Sequence, residues 1–119
     1  MMHQNGRKKL NLKESHRRAM LRNQIIGLIM YGHLTSTKPR VKEVQRLVEK
    51  MVTVAREGNT FNVRRRIHAL LPYKDEAAIA LVKDIAPRYT QRPGGYTRVI
   101  ALGRRKSDGA PLARLEWVQ

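Results

Sequence analysis

The chain has 119 residues, enough for one domain with a single hydrophobic core. Its 25 lysines and arginines against 9 acidic residues give a formal charge of +16 at pH 7, and such self-repulsion favours a polyanionic partner. The 41% hydrophobic content is too high for a disordered basic tail, and the absence of cysteine excludes disulfides, thiolate catalysis and cysteine-ligated zinc.

Neither a membrane span nor a targeting peptide is predicted. The longest apolar run, residues 25–31, is far shorter than the roughly 20 residues that cross a bilayer. The basic N-terminal stretch is not followed by the apolar core of a signal peptide, and it is not serine-rich as a transit peptide is. We therefore expect a cytoplasmic protein.

The first part of the chain combines a basic arm with a helix. Residues 1–14 are rich in basic residues and lack helical periodicity, so we expect an extended basic N-terminal arm, followed by one globular domain over residues 15–119. Ser15 is the predicted N-cap of a helix that runs to about Tyr31 and ends at Gly32. Its apolar stripe consists of Leu21, Ile25, Leu28 and Ile29.

A short strand over residues 34–37 separates this helix from the next. The second helix has the most regular apolar period in the sequence, and Gly58 is predicted to stop it. Its stripe consists of Val41, Val44, Leu47, Val48, Met51 and Ala55.

Two more helices follow. The third begins after Asn59 or Thr60 and is closed by Pro72, and the fourth begins at Asp75 and is predicted to end before Pro87. The stripe of the third helix is Val63, Ile67, Leu70 and Leu71, and that of the fourth is Ala78, Leu81, Val82 and Ile85.

After the helices the apolar period changes to that of strands. Residues 97–104 and 112–118 are predicted to pair as a β-hairpin, with a turn at Asp108 and Gly109. The expected fold class is α+β with two layers: a helix, a short strand, three helices and a β-hairpin, with the helices packed on one small sheet.

Two basic clusters indicate where a polyanion would bind. The first 22 residues hold seven basic residues against one acid, and residues 88–106 hold six against none. His16, Arg17 and Arg18 occupy the first turn of the first helix, where the helix dipole already presents positive charge. An external anion would make this placement favourable, so we favour phosphate docking over the alternative of solvated charges on an exposed helix end.

The second cluster contains two adjacent glycines, Gly94 and Gly95. They lack the G-x-G-x-x-G pattern and the lysine of a phosphate-binding loop, and they precede a strand, so they do not indicate a nucleotide-using enzyme. Without side chains they let an RNA backbone approach closely. Tyr89 and Tyr96 either stack on unpaired bases or pack in the core, and the sequence leaves both alternatives open.

No catalytic or metal-binding pattern stands out. The four histidines lack H-E-x-x-H spacing, and no serine lies in a nucleophile motif. The acidic residues form no suggestive pair, and most lie on helices beside basic residues, where ion pairing is the simpler interpretation. We therefore expect no enzymatic activity, no metal, no cofactor and no small-molecule substrate.

Three long, ungapped segments carry a family resemblance. They are "SHRRAMLRN" at residues 15–23, "LTSTKPRVKEVQRLVEKMVTVAR" at residues 34–56 and "PRYTQRPGGYTRVIALGRRKSDGAPLARLEWV" at residues 87–118. Together they resemble the family of bacterial large-subunit ribosomal protein seventeen, the L-seventeen family, over nearly the whole chain. Val41 stands where the family pattern usually has alanine.

The resemblance implies an α/β domain with an N-terminal arm, bound to large-subunit (23S) ribosomal RNA near the peptide exit side. It also implies a cytoplasmic, ribosome-bound location, neighbouring ribosomal proteins that include the L-thirty-two family protein, and no catalysis. The RNA-binding residues that the resemblance and the two clusters imply are His3, Arg7, Lys8, Lys9, Lys13, Ser15, His16, Arg17, Arg18, Arg22, Asn23, Thr37, Lys38, Arg40, Lys42, Arg88, Arg92, Gly94, Gly95, Tyr96, Thr97, Arg98, Arg104, Arg105 and Lys106.

The leading hypothesis is a structural constituent of the large ribosomal subunit that holds folded RNA by phosphate contacts and shape. A DNA-binding architectural protein would use the same charge, although neither a helix-turn-helix nor a dimer-forming heptad is recognisable. An RNA-processing enzyme would need a carboxylate cluster for metal ions, which the sequence does not offer.

Overall fold

The helices and strands follow one another in the predicted order. The structure, a computed structural model, describes residues 13–72 and 74–118, so the predicted arm lies outside the described residues except for its last two positions. The helices are α1 (Glu14–Tyr31), α2 (Lys38–Ala55), α3 (Phe61–Leu70) and α4 (Asp75–Ala80), and the strands are β1 (His33–Thr37), β2 (Thr97–Arg104) and β3 (Pro111–Trp117).

The strands form one antiparallel sheet in the order β1-β3-β2. The predicted hairpin of β2 and β3 is confirmed, with a bulge between Ala101 and Gly103. The short strand β1 pairs along the other edge of β3, from His33 opposite Glu116 to Thr37 opposite Leu112. The helices contact the sheet through α1 and above all α2, which confirms the two-layer α+β arrangement.

Alternation along β3 divides the sheet into a core face and an outer face. Ala113, Leu115 and Trp117 are buried, whereas Arg114 and Glu116 between them are only half-buried. The Trp117 ring also donates from Nε1 to the carbonyl oxygen of Leu28 at 3.3 Å, which ties the sheet to the end of α1.

The apolar stripes predicted from the helical period form the core. The stripes of α1 and of the fourth helical segment are buried throughout, and that of α2 is buried except for Leu47, which is half-buried. On α3 the prediction is wrong for Leu70, which is 40% exposed. The next residue, Leu71, takes the core position where the helix ends.

The start of α1 differs from the prediction. The helix begins at Glu14, its N-cap is Lys13, and no side chain caps it. Ser15 lies inside the first turn and is exposed, so the prediction that it is the N-cap is wrong. A capping side chain must immediately precede the first helical residue to reach an N–H group two or three residues further on. Glu14 instead supplies the negative charge that the helix dipole favours at this end.

Thr60 is the N-cap of α3, and its side chain caps that helix, whereas no side chain caps α1. Its hydroxyl accepts from the backbone N–H of Val63 at 3.3 Å. We expect Thr60→Ala to lower the free energy of unfolding by about 1 kcal/mol. Ser15→Ala should change it by less than about 0.5 kcal/mol, because alanine is the better residue inside a helix. Urea denaturation measures both values, and a larger loss for Ser15→Ala would contradict the cap assignment.

The fourth helical segment changes its hydrogen-bonding pattern instead of ending before Pro87. After α4 a π-helical turn spans Leu81–Ile85 and a 3₁₀ turn spans Ala86–Tyr89, so the helical backbone continues past the proline and the predicted end is wrong. Proline has no N–H group, but none is required at the start of a new helical turn. This extension brings Tyr89 into the core and leads to the loop that contains the two glycines.

Candidate nucleic-acid interface

The predicted site residues lie in three parts of the fold, apart from His3, Arg7, Lys8 and Lys9, which are outside the described residues. The α1 group consists of Lys13, Ser15, His16, Arg17, Arg18, Arg22 and Asn23. The sheet-end group consists of Thr37, Lys38, Arg40, Lys42, Arg104, Arg105 and Lys106. The loop group consists of Arg88, Arg92, Gly94, Gly95, Tyr96, Thr97 and Arg98.

The first turn of α1 carries its own counter-charge. Nη2 of Arg18 donates to Oε1 of Glu14 at 2.6 Å, and both side chains are exposed. Glu14 thereby satisfies both the helix dipole and one arginine. Among the described residues Arg17 has no ion-pair partner, so it is the cation of this turn that is best placed to meet an external phosphate.

Two segments that are far apart in the sequence meet at one end of the sheet. Thr37, the last residue of β1, lies opposite Leu112 of β3, which in turn lies opposite Gly103 of β2. Lys38 follows Thr37 directly, and Arg104 follows Gly103. The start of α2 and the hairpin turn therefore bring their basic residues to the same end of the sheet.

The start of α2 has the features of an anion-binding helix terminus. Its N-cap Thr37 makes no side-chain capping bond, and its first turn contains Lys38, Pro39 and Arg40 but no acidic residue. The first backbone N–H groups of a helix have no intrahelical acceptor, and the dipole adds partial positive charge there. Lys42 is exposed one turn further on. This helix start meets the conditions for binding phosphate better than the start of α1.

The hairpin turn holds two of its arginines in place. Arg105 donates from Nε and Nη2 to the two carboxylate oxygens of Asp108 at 3.0 and 2.6 Å, and Nη1 of Arg104 donates to the carbonyl oxygen of Gly109 at 2.8 Å. Gly109 has φ of 72°, which confirms the predicted turn position. Lys106 is exposed within this turn.

The Arg105 pair should be visible in a titration of Asp108. Hydrogen bonds from the Arg105 guanidinium and from the Ala110 N–H lower the pKa of Asp108 from 3.8 to about 2. A lowered folded-state pKa means that the stabilisation is present above pH 3.8 and is lost as the pH falls through about 2. NMR of the carboxyl carbon should show that midpoint, and Arg105→Gln should move it back towards 3.8. If Asp108 in the unmodified chain titrates near 3.8, the hydrogen-bonded pair of Arg105 and Asp108 is not formed in solution.

Glu49 of α2 fixes the loop that contains the two glycines. Its Oε1 accepts from the N–H of Gly95 at 3.1 Å, and its Oε2 accepts from the N–H and the hydroxyl of Thr97 at 2.9 and 2.7 Å. Gln45, one turn earlier on α2, donates to the carbonyl oxygen of Thr97 at 3.4 Å. The hydroxyl of Thr97 is therefore committed within the chain, and this residue is only 5% exposed.

The two tyrosines belong to the core. Tyr96 is fully buried, and its ring centroid lies 5.2 Å from that of Tyr89, which in turn lies 6.3 Å from that of Trp117. The Tyr89 hydroxyl donates to the carbonyl oxygen of Val118 at 2.5 Å, and burial raises the pKa of this phenol. Of the two alternatives, packing is confirmed for both rings, and stacking of the Tyr96 ring on RNA is wrong for this fold.

Arg88, Arg92 and Arg98 of the loop group are exposed on the surface. Nη1 of Arg92 donates to the carbonyl oxygen of Gly95 at 3.4 Å, and Arg56 donates to the carbonyl oxygen of Arg92. Arg98 pairs with Glu116 across the sheet at 3.3 Å. Gly94 has open space around it, and Gly95, with φ of 65°, does as well. The loop therefore offers an open backbone surface with arginines beside it.

Sequence reasoning missed three residues that position this loop, Gln45 and Glu49 on α2 and Arg56 just after its end. The sequence predicts ion pairing with neighbouring cations for most helical acids, yet the Glu49 carboxylate accepts from backbone and hydroxyl groups almost 50 residues away. No local pattern marks it, because its partners are set by the packing of α2 against β2.

In residues 13–72 and 74–118 no helix is long and apolar enough to cross a membrane, and no three histidine or acidic side chains come together as a group that could hold a metal ion.

Comparison with known proteins places the chain in a family. A model of the family described as "Ribosomal protein L17" matches residues 20–118. The chain belongs to the ribosomal protein L17 family. This confirms the resemblance that the three sequence segments carry. The L17 match includes all of the sheet-end group and the loop group, whereas the first turn of α1 precedes it.

Several curated L17 relatives bear the name "Large ribosomal subunit protein bL17". The one from Desulforudis audaxviator is 45% identical over 113 residues, which cover 95% of this chain and 99% of the relative. The one from Sulfurovum sp. is 43% identical over 118 residues, which cover 99% of this chain and 100% of the relative. The one from Caldanaerobacter subterraneus subsp. tengcongensis is 45% identical and covers 93% of this chain. The L17 likeness therefore extends over nearly the full length.

Proposed function

We propose that this protein is a structural constituent of the large ribosomal subunit and binds ribosomal RNA through the sheet-end group, the loop group without the buried Tyr96 and Thr97, and the start of α1. The observation that carries the proposal is the meeting of two basic segments at one end of the sheet. An acid-free helix start and a hairpin turn with Arg104, Arg105 and Lys106 lie there together.

Phosphate is the ligand that suits this end of the sheet. Free N–H groups at the start of α2 and the Lys38 ammonium can share one phosphate of the RNA. The guanidinium groups of the hairpin turn can reach the next phosphate along the same RNA strand. The Asp108 carboxylate keeps Arg105 in a fixed orientation while part of its donor edge stays available. Such contacts recognise the shape of folded RNA and not its sequence.

The wider role is inferred from the L17 family. The protein acts on the ribosome in the cytoplasm, Arg7, Lys8 and Lys9 contribute further RNA contacts, and other ribosomal proteins, among them the L-thirty-two family protein, are its neighbours. Its contribution is to hold RNA segments in place, and no catalytic step is assigned to it.

Sedimentation tests the proposal most directly. Cell lysate separated on a sucrose gradient in high salt is expected to carry this protein with the large subunit. Ribonuclease treatment should release it, whereas deoxyribonuclease should not. A free monomeric position in the untreated gradient would reject the ribosomal assignment, and release by deoxyribonuclease alone would favour the DNA-binding alternative.

A further inference from the structure

A cleft lies between α2 and the loop that contains the two glycines. It has a volume of about 410 Å³, within the range of roughly 300–1,000 Å³ that is usual for small-molecule sites. Its walls are formed by Glu49, Lys50, Thr53, Val54, Pro93 and Gly94, with Tyr96 beneath. The cleft is distinct from the sheet-end group, because it lies where β2 begins and not at the hairpin turn.

The polar atoms of the cleft are acceptors with unused capacity. A carboxylate has about four acceptor positions, and that of Glu49 uses three, for Gly95 and Thr97. Thr53 gives its only hydroxyl proton to the carbonyl oxygen of Glu49 at 3.0 Å. The Tyr96 hydroxyl, 3.2 Å from that of Thr53, must therefore be the donor between the two, which leaves Thr53 Oγ1 one acceptor position.

The other walls are apolar or positively charged. Pro93 and Val54 present apolar surface, and Gly94 leaves its side open, since nothing lies within 4 Å of the position where a Cβ would stand. Lys50 is exposed, and among the described residues it has no ion-pair partner. A flat ligand that carries N–H donors and is attached to an anion matches this set of groups.

We propose that this cleft receives a single unpaired base of the RNA. An exocyclic amino group of adenine, cytosine or guanine donates to Glu49 and Thr53, the ring lies against Pro93, and the adjoining phosphate meets Lys50. This inference rests on the proposed binding of ribosomal RNA and adds one base-specific contact to it. The cleft is the site of that base contact, while the surrounding arginines bind the phosphate backbone of the RNA.

Two substitutions at one position test the proposal. Gly94 does not have positive φ and has room for a side chain, so Gly94→Leu fills the cleft without backbone strain, while Gly94→Ala leaves most of it open. Each chain is bound to deproteinised large-subunit ribosomal RNA. Base-specific reagents then probe the Watson–Crick edges of unpaired bases, and hydroxyl radicals probe the backbone. Melting temperatures confirm that both chains fold.

The proposal expects one unpaired base that is protected by the unmodified chain and by Gly94→Ala but reactive with Gly94→Leu. The backbone footprint of the sheet-end group should not change, because that group lies at the other end of β2, and the affinity of Gly94→Leu should fall about tenfold. If the base is protected equally by Gly94→Leu and by the unmodified chain, the assignment of the cleft as its binding site is overturned. A missing backbone footprint with the unmodified chain overturns the proposed function itself.

Lys50→Gln provides a second test that does not depend on filling the cleft. If Lys50 meets the phosphate next to the base, the slope of log affinity against log salt should become shallower by about 0.7–0.9. An unchanged slope overturns the phosphate contact. Lys83→Gln, an exposed lysine outside the cleft, is the matched control and should keep the original slope.

Discussion

Affinity for large-subunit ribosomal RNA is expected to fall by about 10³–10⁵ when the salt concentration rises from about 50 mM to about 200 mM. A protein that neutralises roughly six to ten phosphates releases as many counterions, and each contributes about 0.7–0.9 to the slope of log affinity against log salt. The three basic groups of this chain are sufficient for contacts of that number. Filter binding at several salt concentrations measures the slope, and a flat titration would reject electrostatic binding.

The sheet-end group is expected to account for a large share of that slope. Arg40→Ala combined with Lys42→Ala should make the slope shallower by about 1.4–1.8 if both residues meet phosphates. Arg65→Ala combined with Arg66→Ala removes the same charge from α3, which packs mainly on α2 and α4. Equal losses from the two pairs would mean that net charge, and not the sheet-end group, determines binding.

Local sequence patterns were sufficient for the helices and the hairpin because those elements depend on periodicity. The stripe of Leu21, Ile25, Leu28 and Ile29 is buried as predicted, and β2 and β3 pair around the predicted turn. The end of α1 at Gly32 is confirmed as well, with φ of 85° and an N–H that donates to Leu28. In each case neighbours in sequence determine the structure.

The errors concern ion pairs with residues outside the counted segment, the type of helical turn, and packing between distant segments. The second basic cluster appeared free of acids, yet Arg98 meets Glu116 from β3, and Arg105 meets Asp108 just past the end of the counted segment. An apolar spacing of about 3.6 residues does not distinguish an α-helix from the π-helical and 3₁₀ turns around Pro87. The burial of Tyr96 follows from the packing of the loop on α2, which the sequence of the loop does not encode.

Glu49 is expected to contribute strongly to stability, because it holds the loop on α2. Glu49→Ala removes all three hydrogen bonds that join α2 to the loop and leaves the N–H of the buried Thr97 without its acceptor. Bonds to a charged acceptor contribute about 1.5–3 kcal/mol each, but Gly95 is exposed and can turn to water, so the expected loss is about 2–4 kcal/mol. Thermal unfolding should record it as a decrease in Tm of roughly 10 °C.

A matched control separates this effect from the loss of one negative charge. Glu57→Ala removes a carboxylate whose only described ion pair is a 4.0 Å contact with Arg66 on the surface, so it should change stability by less than about 1 kcal/mol. If the two substitutions lower the stability equally, the loss of one negative charge explains both effects, and the position of the loop does not depend on Glu49. If Glu49 acts through the loop, hydrogen exchange at the Gly95 and Thr97 amides should accelerate in Glu49→Ala alone, because these two N–H groups lose their acceptor there and keep it in Glu57→Ala.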